Sequence, residues 1–428
     1  MFTRRRCGRA DRAASVGRVT SGGEKTMVLS AHFSPETTGN APYVGKLTAG
    51  LARRGRRVRV LSAHPHYPEW EIRDGYGQWR RRDDGDGVVV ERLLHYVPGN
   101  PSNLKRLAAE LSLGLRFAFA RWGRPDVIVL VSPALFSSAL AMLKARLLHP
   151  RVPVGVWVQD IYSVGAQETG GHEAVAAVIK RIESWLFRSA DGVSVIHDRF
   201  ATVVTEMLGV PRDRVEVIRN WAHVGEPATR DRATMRRSLG WRDEEIVVLH
   251  AGNMGVKQGL ENVVDAARLA DTSPRDVRFV LMGDGNQKDH LVEYAEGTAS
   301  VEFLESVSND DFLNVLAAAD VLLVNEKVGV AEMSVPSKLT SYFTVGRPVL
   351  AATASEGATA TELRSSNAGV HVAAGDPAAL LGAAIALADD TDRAGELGRN
   401  GQDFAARVLD AFAAIDHHAR WIGSLKRR

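Results

Sequence analysis

The sequence predicts an α/β protein made of two doubly wound domains in tandem. Three observations carry that prediction. The chain has 428 residues, more than one hydrophobic core usually serves. Its apolar runs are short, continuous and rich in Val and Ile, as parallel strands covered on both faces require, and amphipathic stretches separate them. The alternation breaks once, at a polar, irregular segment around residues 219–229, and then restarts.

In the first half, strands are expected at Thr26–Ala31, Val58–Ser62, Val88–Arg92, Val127–Val131, Val154–Val158, Val193–Ile196 and Val215–Ile218. Helical patterns lie between them at Pro42–Arg54, Leu104–Arg121, Ala134–Leu147, Glu173–Ser189 and Arg199–Leu208. In the first of these, Val44, Leu47 and Leu51 recur at helical spacing, Pro42 suits a first turn and Gly55 suits the terminus. After the linker, strands are expected at Val247–His250, Val277–Met282, Val301–Leu304, Val321–Val324, Pro348–Ala352 and Val370–Val372, with helices at Leu260–Ala270, Asn309–Ala318, Ser337–Val345 and Ala378–Ala388. Ser308 with Asp311 reads as a capping box, and Asp376-Pro377 supplies a cap and a first-position proline. Residues 1–25 are then a disordered basic extension, 26–220 a first domain, 230–400 a second, and 401–428 a terminal helix crossing back to the first. The strand ends of the two domains are expected to face each other across a cleft.

No run of about 18 uncharged apolar residues occurs, so no spanning helix is expected. The first 25 residues lack the apolar centre of a secretory signal. The lone cysteine, Cys7, lies among them, which excludes a disulfide framework and a Cys-based metal site in the folded part and fits a cytoplasmic protein. Charge is uneven: residues 1–220 hold 33 Lys/Arg against 21 Asp/Glu, a net +12, and the remainder is −9. A basic half facing an anionic surface accounts for this. Nucleic acid is a poor partner, because no helix-turn-helix, zinc-finger or aromatic-basic sheet signature is visible, and anionic lipid headgroups fit better. Leu104, Leu107, Leu111, Leu115 and Phe119 form one stripe flanked by Lys105, Arg106, Arg116 and Arg121. That describes either an interfacial helix or a core-packing helix with a solvated basic face.

Chemistry concentrates at strand ends. Gly39-Asn40 lies between the first strand and a helix N-terminus, where amides and the helix dipole favour an anion, although a tight turn would also use glycine. "HAGNMGVKQG" (250–259) repeats the plan with Gly252, Gly255 and Gly259 for close backbone approach and Lys257 as a mobile cation, which suits a diphosphate. It is neither Walker A nor the dinucleotide fingerprint. "LMGDG" (281–285) runs a strand into Gly283 and Gly285, a floor for a flat base or a plain glycine turn. Asp84-Gly85-Asp86 is read as a solvated turn, not a metal site. His64, His66, His95 and His172 show no ligand spacing, and no nucleophile elbow appears.

Taken in order, "HFSPETTGNAPYVGKLTAGLARRGRRVRVLSAHPHYP", "HAGNMGVKQGLENVVDAA", "LMGDG" and "VPSKLTSYFTVGRPVLAA" resemble the retaining glycosyltransferases of family four. Within that family they are similar to the colanic-acid-type fucosyltransferases and related enzymes of surface-polysaccharide assembly. The likeness runs from about Thr26 to the C-terminus. It implies the GT-B fold, two Rossmann-like domains with a nucleotide-sugar donor held mostly by the second.

By that resemblance, Lys257 neutralises the donor diphosphate and Gly39 lets the first domain's loop close over it. The Gly283–Gly285 loop and Phe303 recognise the base. The family often has an arginine where this chain has Asn253, so one cation is missing, and either a residue such as Lys338 supplies it or the phosphates rely more on backbone donors. The family also carries two glutamates with seven residues between them; here the ribose position holds Ser341, and Glu332 lies one residue off the other, where Met333 stands. Pro336 opens a helix that leaves the N–H groups after Ser337 and the Lys338 ammonium free for phosphate or ribose, or simply solvated. Asp160, beyond the strand Val154–Val158, is placed to orient an acceptor or to cap a turn. The resemblance implies no metal and no cofactor, the nucleotide-sugar being a substrate, and leaves the base open, since the departing phosphate can serve. Transfer to a lipid-linked saccharide on the inner membrane face is the expected reaction. A GT-B nucleotide-sugar epimerase and a catalytically silent nucleotide-sugar binder share the same motifs.

Overall fold

The computed structural model describes residues 23–37, 39–163, 173–221, 230–329 and 337–427. Most of the basic extension, the segment before the second domain and Glu332 lie outside the described residues.

The first sheet contains β1 (Lys25–Ser30), β2 (Arg57–Ala63), β3 (Arg80–Gly85), β4 (Val88–Leu93), β5 (Val127–Val131), β6 (Val154–Val158), β7 (Gly192–Val195) and β8 (Val215–Val217). Their order is β3-β4-β2-β1-β5-β6-β7-β8, parallel throughout except for β3. The second contains β9 (Ile246–Ala251), β10 (Val277–Met282), β11 (Val301–Leu304), β12 (Val321–Asn325), β13 (Val349–Thr353) and β14 (Gly369–Ala373), in the order β11-β10-β9-β12-β13-β14 and all parallel. In each sheet the winding reverses beside the domain's first strand, between β1 and β5 and between β9 and β12. Such a reversal opens a crevice at the carboxyl ends of the strands.

β3 escapes a search for apolar runs because "RRRDDG" contains no apolar residue. Ion pairs hold it: Arg80 with Glu91 at 2.5 Å and Arg92 with Asp83 at 2.9 Å. Asp86 and Gly87, with φ of +51° and +76°, turn the hairpin back into β4, as a two-residue turn between twisted strands demands. The expected solvated turn at Asp84-Gly85-Asp86 is therefore the end of a charged edge strand plus its turn. Charge on an edge strand discourages pairing with another chain.

The connections β4 to β5, β5 to β6 and β6 to β7 all step the same way along the sheet. Right-handed crossover then places α2 (Asn103–Phe119), α3 (Leu135–Leu148) and the helix Glu173–Ser189 on one face. α1 (Ala41–Arg53) steps back from β1 to β2 and covers the other. Beside it lies the terminal helix Ala411–Ser424, whose Ala414, Ile415, Trp421 and Ile422 share a core with Val44, Leu47 and Leu51. Gly155 and Gly192 make room for it: a Cβ there would stand 2.8 Å from the Trp421 ring and 2.5 Å from Leu425. Arg54 Nε donates to Asp416 at 2.5 Å. The helix that follows the second domain thus completes the first.

The domains also meet directly. The Tyr43 hydroxyl bonds Thr340, and Glu362 accepts from Arg219 at 3.3 Å with His197 equally close. Between these lies a partly open cavity of about 30 Å³, room for water and not for a sugar.

Trp421→Ala should lower the urea midpoint of the first domain by the equivalent of about 3–5 kcal/mol, the usual cost of deleting a buried Trp. Circular dichroism against a surface control such as Arg420→Ala measures it, and equal midpoints would show that the terminal helix adds nothing to that core.

Candidate functional site

At the carboxyl end of β9, the loop 252–259 passes through a single turn at Val256–Gln258 and enters the helix Glu261–Ala270. Backbone bonds lace the neighbouring loops together. Gly252 N donates to Met282 O at 2.8 Å, Gly283 N to Leu304 O at 2.9 Å, and Met254 N to Asp284 O at 2.8 Å. This close approach explains two glycines: a Cβ on Gly283 would lie 2.2 Å from Gly252 O, and one on Gly285 2.4 Å from Met254 O. Phe303, on β11, is half-buried and packs against the domain core.

Lys257 stands on that turn, half-buried. Its carbonyl accepts from Lys327 N at 2.8 Å. Asn325, the last residue of β12 and 1 % exposed, donates to the carbonyls of Gln258 at 2.8 Å and Gly259 at 2.9 Å. Its own oxygen accepts from Asn262 at 2.8 Å. One side chain therefore fixes the turn, its left-handed Gly259 (φ +53°) and the first turn of the helix behind it. Asn253 is exposed, and its amide reaches Gln258 at 3.4 Å.

Lys338 approaches the same point from the helix Ser337–Thr344, which Tyr342 anchors: its hydroxyl accepts from Ala251 N at 2.9 Å and reaches Leu323 O at 3.3 Å. Lys338 Nζ lies 3.1 Å from His250 Nε2, and a Cβ added to Gly252 would meet it at 3.6 Å. Burial pulls the Lys338 amine down to about 7, with Glu326 acting in the opposite sense. His250 is fully buried, and burial followed by the Lys338 charge holds it well below the ordinary histidine range. A neutral His250 accepts, so Lys338 donates. Thr359 Oγ1 donates to Glu326 at 2.5 Å. Ser341 is 3 % exposed. Lys338, the turn that carries Lys257 and the loops after β9 and β10 thus meet at the carboxyl ends of the strands, beside helix N-termini that suit an anion.

On the first domain, Gly39 (φ +62°) precedes α1. Asn40 Nδ2 donates to Ser132 O at 3.3 Å, bridging the loops after β1 and β5 at the switch point. Ser132 Oγ donates to Asp160 O at 2.9 Å, and Asp160 Oδ1 accepts from Ile161 N. Glu110 of α2 accepts from the Tyr162 hydroxyl and from Phe136 N, each at 2.9 Å, and burial lifts it to about 7. His32, Glu36 and His66 place ligand atoms within 4.8 Å of one another, as a metal site would. The Glu36 carboxylate is already engaged, by His66 N at 2.8 Å, Tyr67 N at 2.9 Å and His32 Nδ1 at 3.0 Å, so it acts as a staple for the loop after β2. Asn325, His250, Glu326, Glu110 and Glu36 were absent from the sequence-derived set. A polar residue closing the buried run "VLLVN" was the one readable signal among them.

Comparison with known proteins agrees with this geometry. Residues 38–221 match the family model described as a glycosyl transferase 4-like domain, and residues 245–390 match glycosyl transferases group 1. The putative colanic acid biosynthesis glycosyl transferase WcaI of Escherichia coli K12 is 33% identical over 336 residues, 75% of this chain and 81% of that protein. Among solved structures, sucrose-phosphate synthase from Thermosynechococcus elongatus superposes with a TM-score of 0.71 at 17% identity, covering 94% of this chain and 99% of that one. Anabaena HepE in complex with UDP-glucose superposes with a TM-score of 0.66 at 19% identity, covering 94% and 100%. The chain belongs to the family-four glycosyltransferases of GT-B fold.

Proposed function

We propose that the protein transfers a hexosyl or deoxyhexosyl group, with retention, from a nucleotide-diphosphate-sugar to a lipid-linked saccharide in cell-surface polysaccharide biosynthesis. The observation that carries the reading is Lys338, whose Nζ lies 3.1 Å from a neutral His250 at the carboxyl end of β9, beside the second domain's switch point. Likeness to WcaI supports the pathway, and likeness to HepE, whose crystal structure holds UDP-glucose, supports the donor class. As the sugar leaves, charge grows on the diphosphate; Lys257, Lys338 and the amides of the Val256–Gln258 turn stabilise it electrostatically, with no metal required. The Gly39 loop closes from the opposite side, and Asp160, on the first domain, orients the acceptor hydroxyl. The roles of Gly283, Gly285, Phe303, Asn253, Ser337 and Ser341 in gripping nucleoside and ribose, and of Glu332 near the transferring sugar, belong to the same proposal.

Incubation with UDP-, GDP- and dTDP-sugars should release free nucleotide slowly. Lys257→Met should lower that rate by about 10²–10³, the scale of losing one electrostatic donor to a transition state. Release of an epimeric sugar, or binding without turnover, would overturn the transferase reading. Lys338 gives a second test with a defined sign. A free amine near 7 is mostly neutral at pH 8, and a neighbouring diphosphate favours its charged form. Nucleoside diphosphate binding at pH 8 should therefore take up close to one proton, little at pH 6, and none in Lys338→Met. Calorimetry in buffers of different ionisation enthalpy reads this directly, and proton-neutral binding at pH 8 would remove Lys338 from the diphosphate site.

The acceptor proposal draws on the three-helix face. α2 buries Ala109, Leu113 and Phe117, while Leu104, Leu111, Leu115 and Phe119 of the predicted stripe are exposed, Phe119 by 84%. Leu143, Leu147 and Leu148 of the adjoining α3, and Val175, Val178 and Trp185 of the helix Glu173–Ser189, extend the apolar surface. Exposed Lys105, Arg106, Arg121, Arg124, Arg181 and Arg188 rim it. We assign this face to anionic lipid at the inner membrane surface. Vesicles containing anionic lipid should sediment the protein, and Leu115→Ser/Phe119→Ser should stay in solution with an unchanged melting temperature. Equal sedimentation of the wild type and the double variant, or none with either, would exclude that face.

A further inference from the structure

The geometry points to a saccharide subsite in the first domain, an open pocket of about 620 Å³ between the loop after β2 and the end of β4, that takes a neutral pyranose of the acceptor. It rests on the reading of the first domain as the acceptor side, and it adds which part of the acceptor is gripped and what chemistry is refused. The volume lies in the ordinary range of small-molecule sites. Both walls leave the carboxyl ends of their strands, the edge on which Asp160 also lies.

Trp70 and Tyr96 supply the apolar surfaces, Glu69, Glu71 and His95 the polar ones. Trp70 has φ of +57°, a conformation a bulky residue adopts only where its surroundings impose it. The surroundings here do so. The Arg106 guanidinium lies 5.3 Å from its ring centre, and the His66 and Tyr67 rings meet it edge-on at 5.9 and 6.2 Å. Its loop is closed by Glu71 N to His66 O at 3.2 Å and Arg73 N to Pro65 O at 3.0 Å. An aromatic plane fixed in advance loses little entropy on binding, and Tyr96, 46% exposed, offers a second.

A pyranose presents C–H faces to such planes and hydroxyls at its rim. Glu69 and Glu71 are exposed carboxylates able to accept from those hydroxyls. His95 Nδ1 is buried with no hydrogen-bond partner among the described residues, and burial keeps the ring neutral, near 3, so it can give or take one hydrogen bond. Two carboxylates at the mouth stand against the single Arg106 guanidinium, and that net negative balance disfavours a uronic acid. A row of rings, His95 to His66 at 5.0 Å and His66 to His32 at 5.3 Å, leads from the pocket to the loop after β1 that carries Gly39. The gripped sugar is therefore set back from the reacting hydroxyl, as in an acceptor of two or more residues.

Saturation-transfer NMR on the full chain, with neutral methyl hexosides and disaccharides against methyl glucuronide, tests this. Neutral sugars should show transfer and the glucuronide little. Trp70→Ala should weaken binding by about tenfold, Trp70→Phe by much less, and Glu69→Gln/Glu71→Gln should admit the glucuronide. Thermal shifts produced by UDP and GDP should be unchanged in all three variants. Absence of transfer from any neutral sugar, equal binding of the glucuronide by the wild type, or indifference to both Trp70 substitutions would overturn the subsite. Loss of the UDP and GDP shifts in the wild type with sugar binding intact would instead overturn the donor reading and leave this pocket standing.

Discussion

Three hydrogen bonds made by Asn325 set the geometry of the second domain's crevice. A strand end and a glycine-rich loop have no reason to keep a fixed distance, since the loop's carbonyls have no ladder to join. Asn325 gives two of those carbonyls a buried donor and ties the same amide to Asn262 on the following helix. The left-handed turn at Gly259, the height of Lys257 and the direction of the helix N-terminus all follow. An apolar residue there would fill the space and orphan two carbonyls, a larger loss than the bonds alone.

The second cation reaches the crevice at an electrostatic cost. Lys338 leaves water to stand beside His250, and desolvation outweighs the attraction of Glu326. His250 must then be neutral, because two buried positive charges at 3.1 Å would repel strongly. The free protein holds a base ready to become an acid when an anion arrives. Such a pair gains its full charge only where an anion is near.

The architecture was largely legible in the sequence. Continuous Val/Ile runs marked nearly every parallel strand, because strands covered on both faces cannot alternate. β3 was missed because an edge strand held by ion pairs carries no such mark. The site was legible in part: Gly39, Gly283 and Gly285 occupy turns that need glycine, and Lys257 sits at its helix entry. Asn325, His250 and Glu110 come from separate strands and a helix that only the fold brings together, and their chemistry depends on burial, which spacing does not encode. At Gly283 and Gly285 contact between loops by itself accounts for the lack of side chains.

The terminal helix Ala411–Ser424 lies on the sheet whose first strand begins at Lys25. During synthesis, Val44, Leu47 and Leu51 emerge long before the residues that shield them. Until those residues follow, the nascent first domain bears an uncovered greasy flank, so it cannot complete its core before the second domain has been made. A change in the helix Ala411–Ser424 thus acts on the first domain rather than on the one that precedes it in the chain.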